Sequence, residues 1–248
     1  MNNRHTITPP RNVNKLLITA AIIFLLLCLL LSATIGVLYV KKANPQRLLS
    51  KLGFSFPPET NWSLESWNSS LEQLDYDSDV VFIGDSLTRG LNFQERFPGK
   101  KIINLGVSGD TLAGISKRTY VIGGLTPEMI FIEGGVNSLN SSGVDDLATL
   151  YESMVVQLMA DNPGVEIFIQ SVLPISNTSQ IGGLTNIKII ALNAKLQEIA
   201  DKHGATYIDV YSAYVLDGEM NPEYTSDGVH LKDKYKYLWL DILEKYIH

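Results

Sequence analysis

From residue 80 onward, short apolar runs alternate with longer stretches in which apolar residues recur at helical spacing. The runs at 80–83, 101–105, 129–132, 165–172 and 206–210 predict five strands, each too short and too continuously apolar for a solvent-facing ribbon. The intervening periodicity predicts helices near 112–120, 144–161, 187–203 and 232–246. Gly204 suits a C-cap, and Asn162-Pro163-Gly164 a break between elements. Strands alternating with helices imply an α/β class with a parallel sheet and crossover helices. Ligand sites in such folds lie beyond the carboxyl ends of the strands, so the residues after each run are where chemistry is sought.

The amino-terminal quarter follows another pattern. Residues 16–40, opening at Leu16 and closing at Val40, carry no charge, against roughly 20 apolar residues needed to cross a bilayer. The run exceeds the apolar core of about 7 to 15 residues in a cleavable signal, although Ser32-Ala33-Thr34 offers a weak cleavage site. The expected organisation is a short basic tail over 1–15, a retained signal-anchor over 16–40, a tether over 41–60 and one globular domain over 61–248. Leu64, Trp67, Leu71 and Leu74 fall on one helical face, which predicts a helix over 61–74 docked on that domain. Three basic residues precede the span and four follow it, so charge alone leaves orientation open. The short tail and the absence of cysteine after Cys28 favour a domain outside the cytoplasm.

Charge divides the chain in the same place. No Asp or Glu precedes Leu52, whereas the residues from there on hold 13 basic against 26 acidic side chains. So acidic a body lacks the positive surface that a nucleic acid requires. The lone Cys28 sits in the apolar run and excludes a disulfide framework. No His or carboxylate cluster has metal-ligand spacing, and no dinucleotide fingerprint occurs, so neither metal nor cofactor is expected.

The candidate chemistry lies after the strands. Gly84-Asp85-Ser86-Leu87 follows the first run and places a serine at a strand-to-helix turn. After the second comes Ser108-Gly109-Asp110-Thr111, whose glycine can offer a backbone N–H to an oxyanion. Gly134-Gly135-Val136-Asn137 follows the third and supplies a carboxamide donor. Each alone reads equally well as a turn. Of four histidines, His5 precedes the span, His203 abuts a helix end and His248 is the final residue. Only His230, in Asp227-Gly228-Val229-His230, has a carboxylate placed to fix its tautomer. Glu133, Asp85 and Asp110 read as structural carboxylates that fix nearby loops.

With these residues in family order, the chain resembles the SGNH, or GDSL-type, hydrolase superfamily from residue 80 to the C-terminal helix. The resemblance implies a three-layer α/β/α, flavodoxin-like fold. It implies a nucleophile at Ser86, oxyanion donors at Ser86, Gly109 and Asn137, and an acid and base pair at Asp227 and His230. Residues 96–137 are also similar to the platelet-activating-factor acetylhydrolase type. The aspartate that often follows the asparagine is Ser138 here, which bears on loop geometry and substrate preference. The expected activity is hydrolysis of carboxylic esters through an acyl-enzyme. Alternatives are a lysophospholipase or lipase, a cell-surface polysaccharide O-acyltransferase and a retired binding module. Loops 138–146, 174–185 and 216–226 are rich in Asn, Ser, Thr and Gly, which favours short acyl groups on polar carriers such as acetylated glycans.

Overall fold

The computed structural model describes residues 78–247 apart from 178, 180 and 181. The span over 16–40, the tether over 41–60 and the helix over 61–74 lie outside the described residues. Among the described residues, no helix is long and apolar enough to cross a membrane.

All five expected strands form, as β1 (Val80–Gly84), β2 (Ile102–Gly106), β3 (Met129–Ile132), β4 (Glu166–Gln170) and β5 (Thr206–Ile208). They make one parallel sheet in the order β2-β1-β3-β4-β5. The chain runs outward from β1 to β2, returns past β1 to β3 and continues to β5. The order reverses at β1, and the crevice beyond the strand ends there is where such folds bind ligands. The central strands are buried on both faces, which explains their unbroken apolar runs.

The helices are α1 (Ser86–Arg89), α2 (Phe93–Arg96), α3 (Leu112–Lys117), α4 (Val144–Asp161), α5 (Asn186–His203) and α6 (Lys236–Leu243). α4 has the expected bounds, and α5 begins one residue early behind the Thr185 cap. Gly204 is its left-handed C-cap. The helix expected over 112–120 stops at Lys117, where the Arg118 N–H tightens onto the Ile115 carbonyl, and continues as a 3₁₀ turn, Thr119–Gly124; the Arg118 side chain turns inward there to bond strand-end carbonyls. The one expected over 232–246 is a 3₁₀ turn, Asp233–Tyr235, followed by α6. A two-stranded hairpin, β6 (Val215–Leu216) with β7 (Glu219–Met220), was not anticipated.

Register builds the core. Phe82, Phe131 and Phe168 are aligned across β1, β3 and β4. Their rings stack with centroids 4.6 and 4.3 Å apart, and Phe93 of α2 stacks on Phe82 at 3.7 Å. Trp239 of α6, fully buried, donates its indole N–H to Gln170 at 2.7 Å, tying that helix to β4. The Tyr151 hydroxyl of α4 donates to the Ile132 carbonyl at 3.3 Å, and His203 of α5 bonds Glu152 of α4 at 2.6 Å.

Candidate active site

β1 ends at Gly84, where a Cβ would lie 2.1 Å from Thr88 Oγ1 and 2.6 Å from the Glu133 carbonyl. Only glycine permits so close an approach of α1 to β3. Asp85 then caps α1 by accepting the Leu87 N–H at 2.9 Å, which sets Ser86 as the first helical residue at the rim. Ser86 Oγ lies 3.0 Å from His230 Nε2, and His230 Nδ1 lies 2.7 Å from Asp227 Oδ2. With Nδ1 protonated and donating to Asp227, Nε2 is free to accept from the serine.

Asp227 and His230 share one tight loop. Thr225 and Leu231 bridge its base, the Thr225 hydroxyl donates to the His230 carbonyl at 2.8 Å, and Gly228 N–H donates back to Thr225 Oγ1 at 2.9 Å. Asp227 Oδ1 accepts the N–H groups of Val229 and His230 at 3.0 and 2.8 Å. Partial burial of Asp227 would raise its pKa, but the His230 ring and these two amides outweigh it and hold the carboxyl at about 2. The loop is docked to the segment after β4 by Ser176 N–H on the Gly228 carbonyl at 2.8 Å.

Facing them is the loop after β2. Gly109 turns with φ +73°, the left-handed region that glycine enters without strain. Among the described residues no acceptor is bonded to the amides of Ser86 or Gly109, and both residues line the cleft. One Asn137 amide hydrogen is held by the Asp110 carbonyl at 3.0 Å. The other reaches only weakly towards Asp85 Oδ2, at 3.4 Å. Ser138 accepts the Leu112 N–H at 2.9 Å, so its hydroxyl links the loop after β3 to the start of α3.

All five sequence-predicted site residues, Ser86, Gly109, Asn137, Asp227 and His230, line one open cleft of about 900 Å³. Ser176, Pro222 and Ser226 complete it from two of the three polar loops; none of its lining residues comes from 138–146. A side pocket of about 200 Å³ adjoins Ser86 and His230, walled by Leu87, Leu91 and Leu231 with Lys236 at its edge. His203 is elsewhere, bonded to Glu152. His5 and His248 lie outside the described residues.

Sequence reasoning missed Arg118. It is 4% exposed and donates to Asp110 Oδ2, the Leu105 carbonyl and the Gly84 carbonyl at 2.7, 2.8 and 2.9 Å. One guanidinium thus joins the ends of β1 and β2 to the loop of Gly109. The available signal was an arginine among the apolar positions Leu112, Ile115 and Ile122. Asp85 is loop-fixing as expected, and burial pushes its carboxyl up to about 7. Glu133 is also structural, but it bonds side chains and not only backbone: the Thr88 hydroxyl donates to it at 2.9 Å.

The arrangement can move a serine proton to an imidazole and hold a developing negative charge on oxygen. Residues 82–235 match the model of the GDSL-like lipase/acylhydrolase family. No curated protein sequence matches the chain. Among solved structures, a protein of Streptococcus pneumoniae described as a platelet activating factor is 23% identical, with a TM-score of 0.68 over 83% of this chain and 100% of its own. A GDSL-like lipase of Bacteroides thetaiotaomicron is 23% identical, with a TM-score of 0.65 over 76% and 97%. The acetyl xylan esterase AlAXEase is 20% identical, with a TM-score of 0.58 over 68% and 99%.

Proposed function

Since the chain belongs to the GDSL-like lipase/acylhydrolase family and is a hydrolase, we propose that it is a serine esterase releasing short acyl groups, acetyl foremost, from polar carriers. The observation that carries this reading is the relay from Ser86 Oγ through His230, 3.0 Å away, to Asp227, 2.7 Å further on. Ser86 Oγ attacks the ester carbonyl carbon while its proton passes to His230 Nε2. Asp227 keeps the ring in the accepting tautomer and stabilises the imidazolium. The amides of Ser86 and Gly109 and the second, weakly held amide hydrogen of Asn137 receive the oxyanion. His230 then gives its proton to the departing alcohol, and water, deprotonated by the same ring, releases the acid and restores Ser86.

The side pocket supports a short acyl group. Its volume of about 200 Å³ and its leucine walls suit a short acyl chain. Leu91, on its wall, suits an acyl chain, whereas Phe93 is spent in the core against Phe82. The main cleft is lined largely by Ser, Thr, Asn and Gly, which suits a hydroxyl-rich leaving group such as a glycan. The fold likeness to an acetyl xylan esterase accords with this carrier. In the same reading, residues 16–40 anchor the chain and the hydrolase works outside the cytoplasm.

Initial rates on p-nitrophenyl acetate, butyrate and palmitate, with acetylated xylan beside them, test the substrate. Rates should be highest on acetate and butyrate and fall steeply on palmitate, and Ser86→Ala should lose turnover by a factor on the order of 10⁶ together with fluorophosphonate labelling. A palmitate advantage in kcat/KM would replace the reading with a lipase or lysophospholipase.

A further inference from the structure

The carboxyls of Asp85 and Glu133 meet beneath the turn that carries Ser86, and the mechanism above gives neither a proton to move. Topology forces them together. β1 and β3 are parallel neighbours with Ile83 opposite Ile132, and the Glu133 N–H donates to the Ile83 carbonyl at 3.0 Å. Each carboxylate residue follows closely on one of these strands, and both are 0% exposed. Asp85 Oδ1 accepts the Leu87 N–H, and Glu133 Oε2 accepts the Thr88 hydroxyl, each at 2.9 Å. The Glu133 carboxyl also accepts the Asp85 N–H and lies within hydrogen-bonding reach of the Asp85 carboxyl, while its Oε1 is left without a donor among the described residues.

Two carboxylates are acceptors only, so a bond between them requires a proton. The buried cation nearby does not remove the problem. Arg118 is committed to Asp110 and to the carbonyls of Leu105 and Gly84. The remaining groups acting on the pair are His230 and Asp110, which face Asp85, and Tyr151, which faces Glu133. Like charges in contact in a dry site cannot both ionise.

We propose that Glu133 is a positioning residue that stays un-ionised at neutral pH and donates its carboxyl proton to Asp85, keeping the pair at no more than one negative charge beneath the oxyanion site. Burial first, and the Asp85 charge second, push Glu133 well above the usual carboxyl range. The consequence rests on the catalytic reading of Ser86. A doubly charged pair would oppose the negative charge that develops on the substrate oxygen. It would also draw the second amide hydrogen of Asn137 towards Asp85 Oδ2, now 3.4 Å away, and so away from that oxygen. A shared proton relieves both.

Glu133→Gln keeps a donor for Asp85 and an acceptor for Thr88. Its kcat should stay within about threefold of wild type at pH 7, while Glu133→Ala should lose roughly 10²-fold in kcat with KM little changed, the size of one lost oxyanion donor. The decisive measurement is independent of activity. At pH 8, above the range of Asp85, the infrared spectrum of the full chain should contain the carbonyl stretch of a protonated carboxylic acid, and the Glu133→Gln chain should lack it. Absence of the band in wild type, or its survival in Glu133→Gln, overturns the proposal whether or not Glu133→Ala folds. So does a Gln variant as slow as Ala. Wild-type chain that shows the band but neither hydrolyses esters nor takes a fluorophosphonate on Ser86 would refute the catalytic reading instead.

Discussion

In the proposed mechanism His230 takes the serine proton and Asn137 holds the oxyanion, and their losses should differ in size. Without His230 the Ser86 proton has no acceptor, so His230→Ala should be nearly as damaging to kcat as Ser86→Ala, since residues of one relay fail together. Asn137→Ala removes one donor of three and should cost roughly 10² to 10³ in kcat. His203→Ala breaks only the contact to Glu152 and should leave kcat unchanged; an essential His203 would refute the assignment of the base. Arg118 acts through structure. Arg118→Met leaves Asp110 charged, buried and unpaired, and should destabilise by about 3–5 kcal/mol in urea unfolding, with part recovered by adding Asp110→Asn. These residues differ in how legible they were. Ser86, Gly109 and Asn137 stand in short strings just after strands and Asp227 and His230 in one short string late in the chain, so their order along the chain disclosed the constellation. Arg118 stands in no string, and only the folded chain shows that its three donors meet carbonyls and a carboxylate from two strands and a loop.

At the scale of elements, the row of Phe82, Phe131 and Phe168 shows why the sheet was readable and several smaller elements were not. Rings aligned by register need apolar neighbours on both sides, and that requirement writes an unbroken apolar run into each strand. Phe131, between the other two and fully buried, should cost about 3–5 kcal/mol on replacement by Ala, measured as a shift in urea midpoint without a change of slope. α1 and α2 have four residues each, barely more than one turn, so no period could be seen in them. The β6–β7 hairpin did leave a signal. Asp217-Gly218, with φ +51° and +82°, is the pair that two-residue hairpin turns favour, but strands of two residues leave no alternation to accompany it.

For the whole molecule, two carboxyls near the site pull stability in opposite directions with pH. Asp85 rises from 3.8 to about 7 on folding, so its contribution is complete below pH 3.8 and is lost as pH climbs through 7. Asp227 falls from 3.8 to about 2, so its contribution is present above pH 3.8 and is lost as pH drops through 2. Relative to wild type, Asp85→Asn should therefore gain stability between pH 4 and 7, and Asp227→Asn should gain it between pH 4 and 2; urea unfolding across pH reads both. The proposed anchor makes a separate prediction. Protease added to intact cells should digest the hydrolase, whereas protection would place it on the cytoplasmic side. A last consequence concerns time. Ser86 and His230 touch across 144 positions of chain. At about 5–20 residues per second, a ribosome makes Ser86 roughly 7–30 s before His230. In the proposed mechanism, the nascent polypeptide holds through that interval a serine without its base. Refolding should repeat the delay. Helical circular dichroism should recover first and ester turnover last, because a contact of such long range waits for the sheet to close.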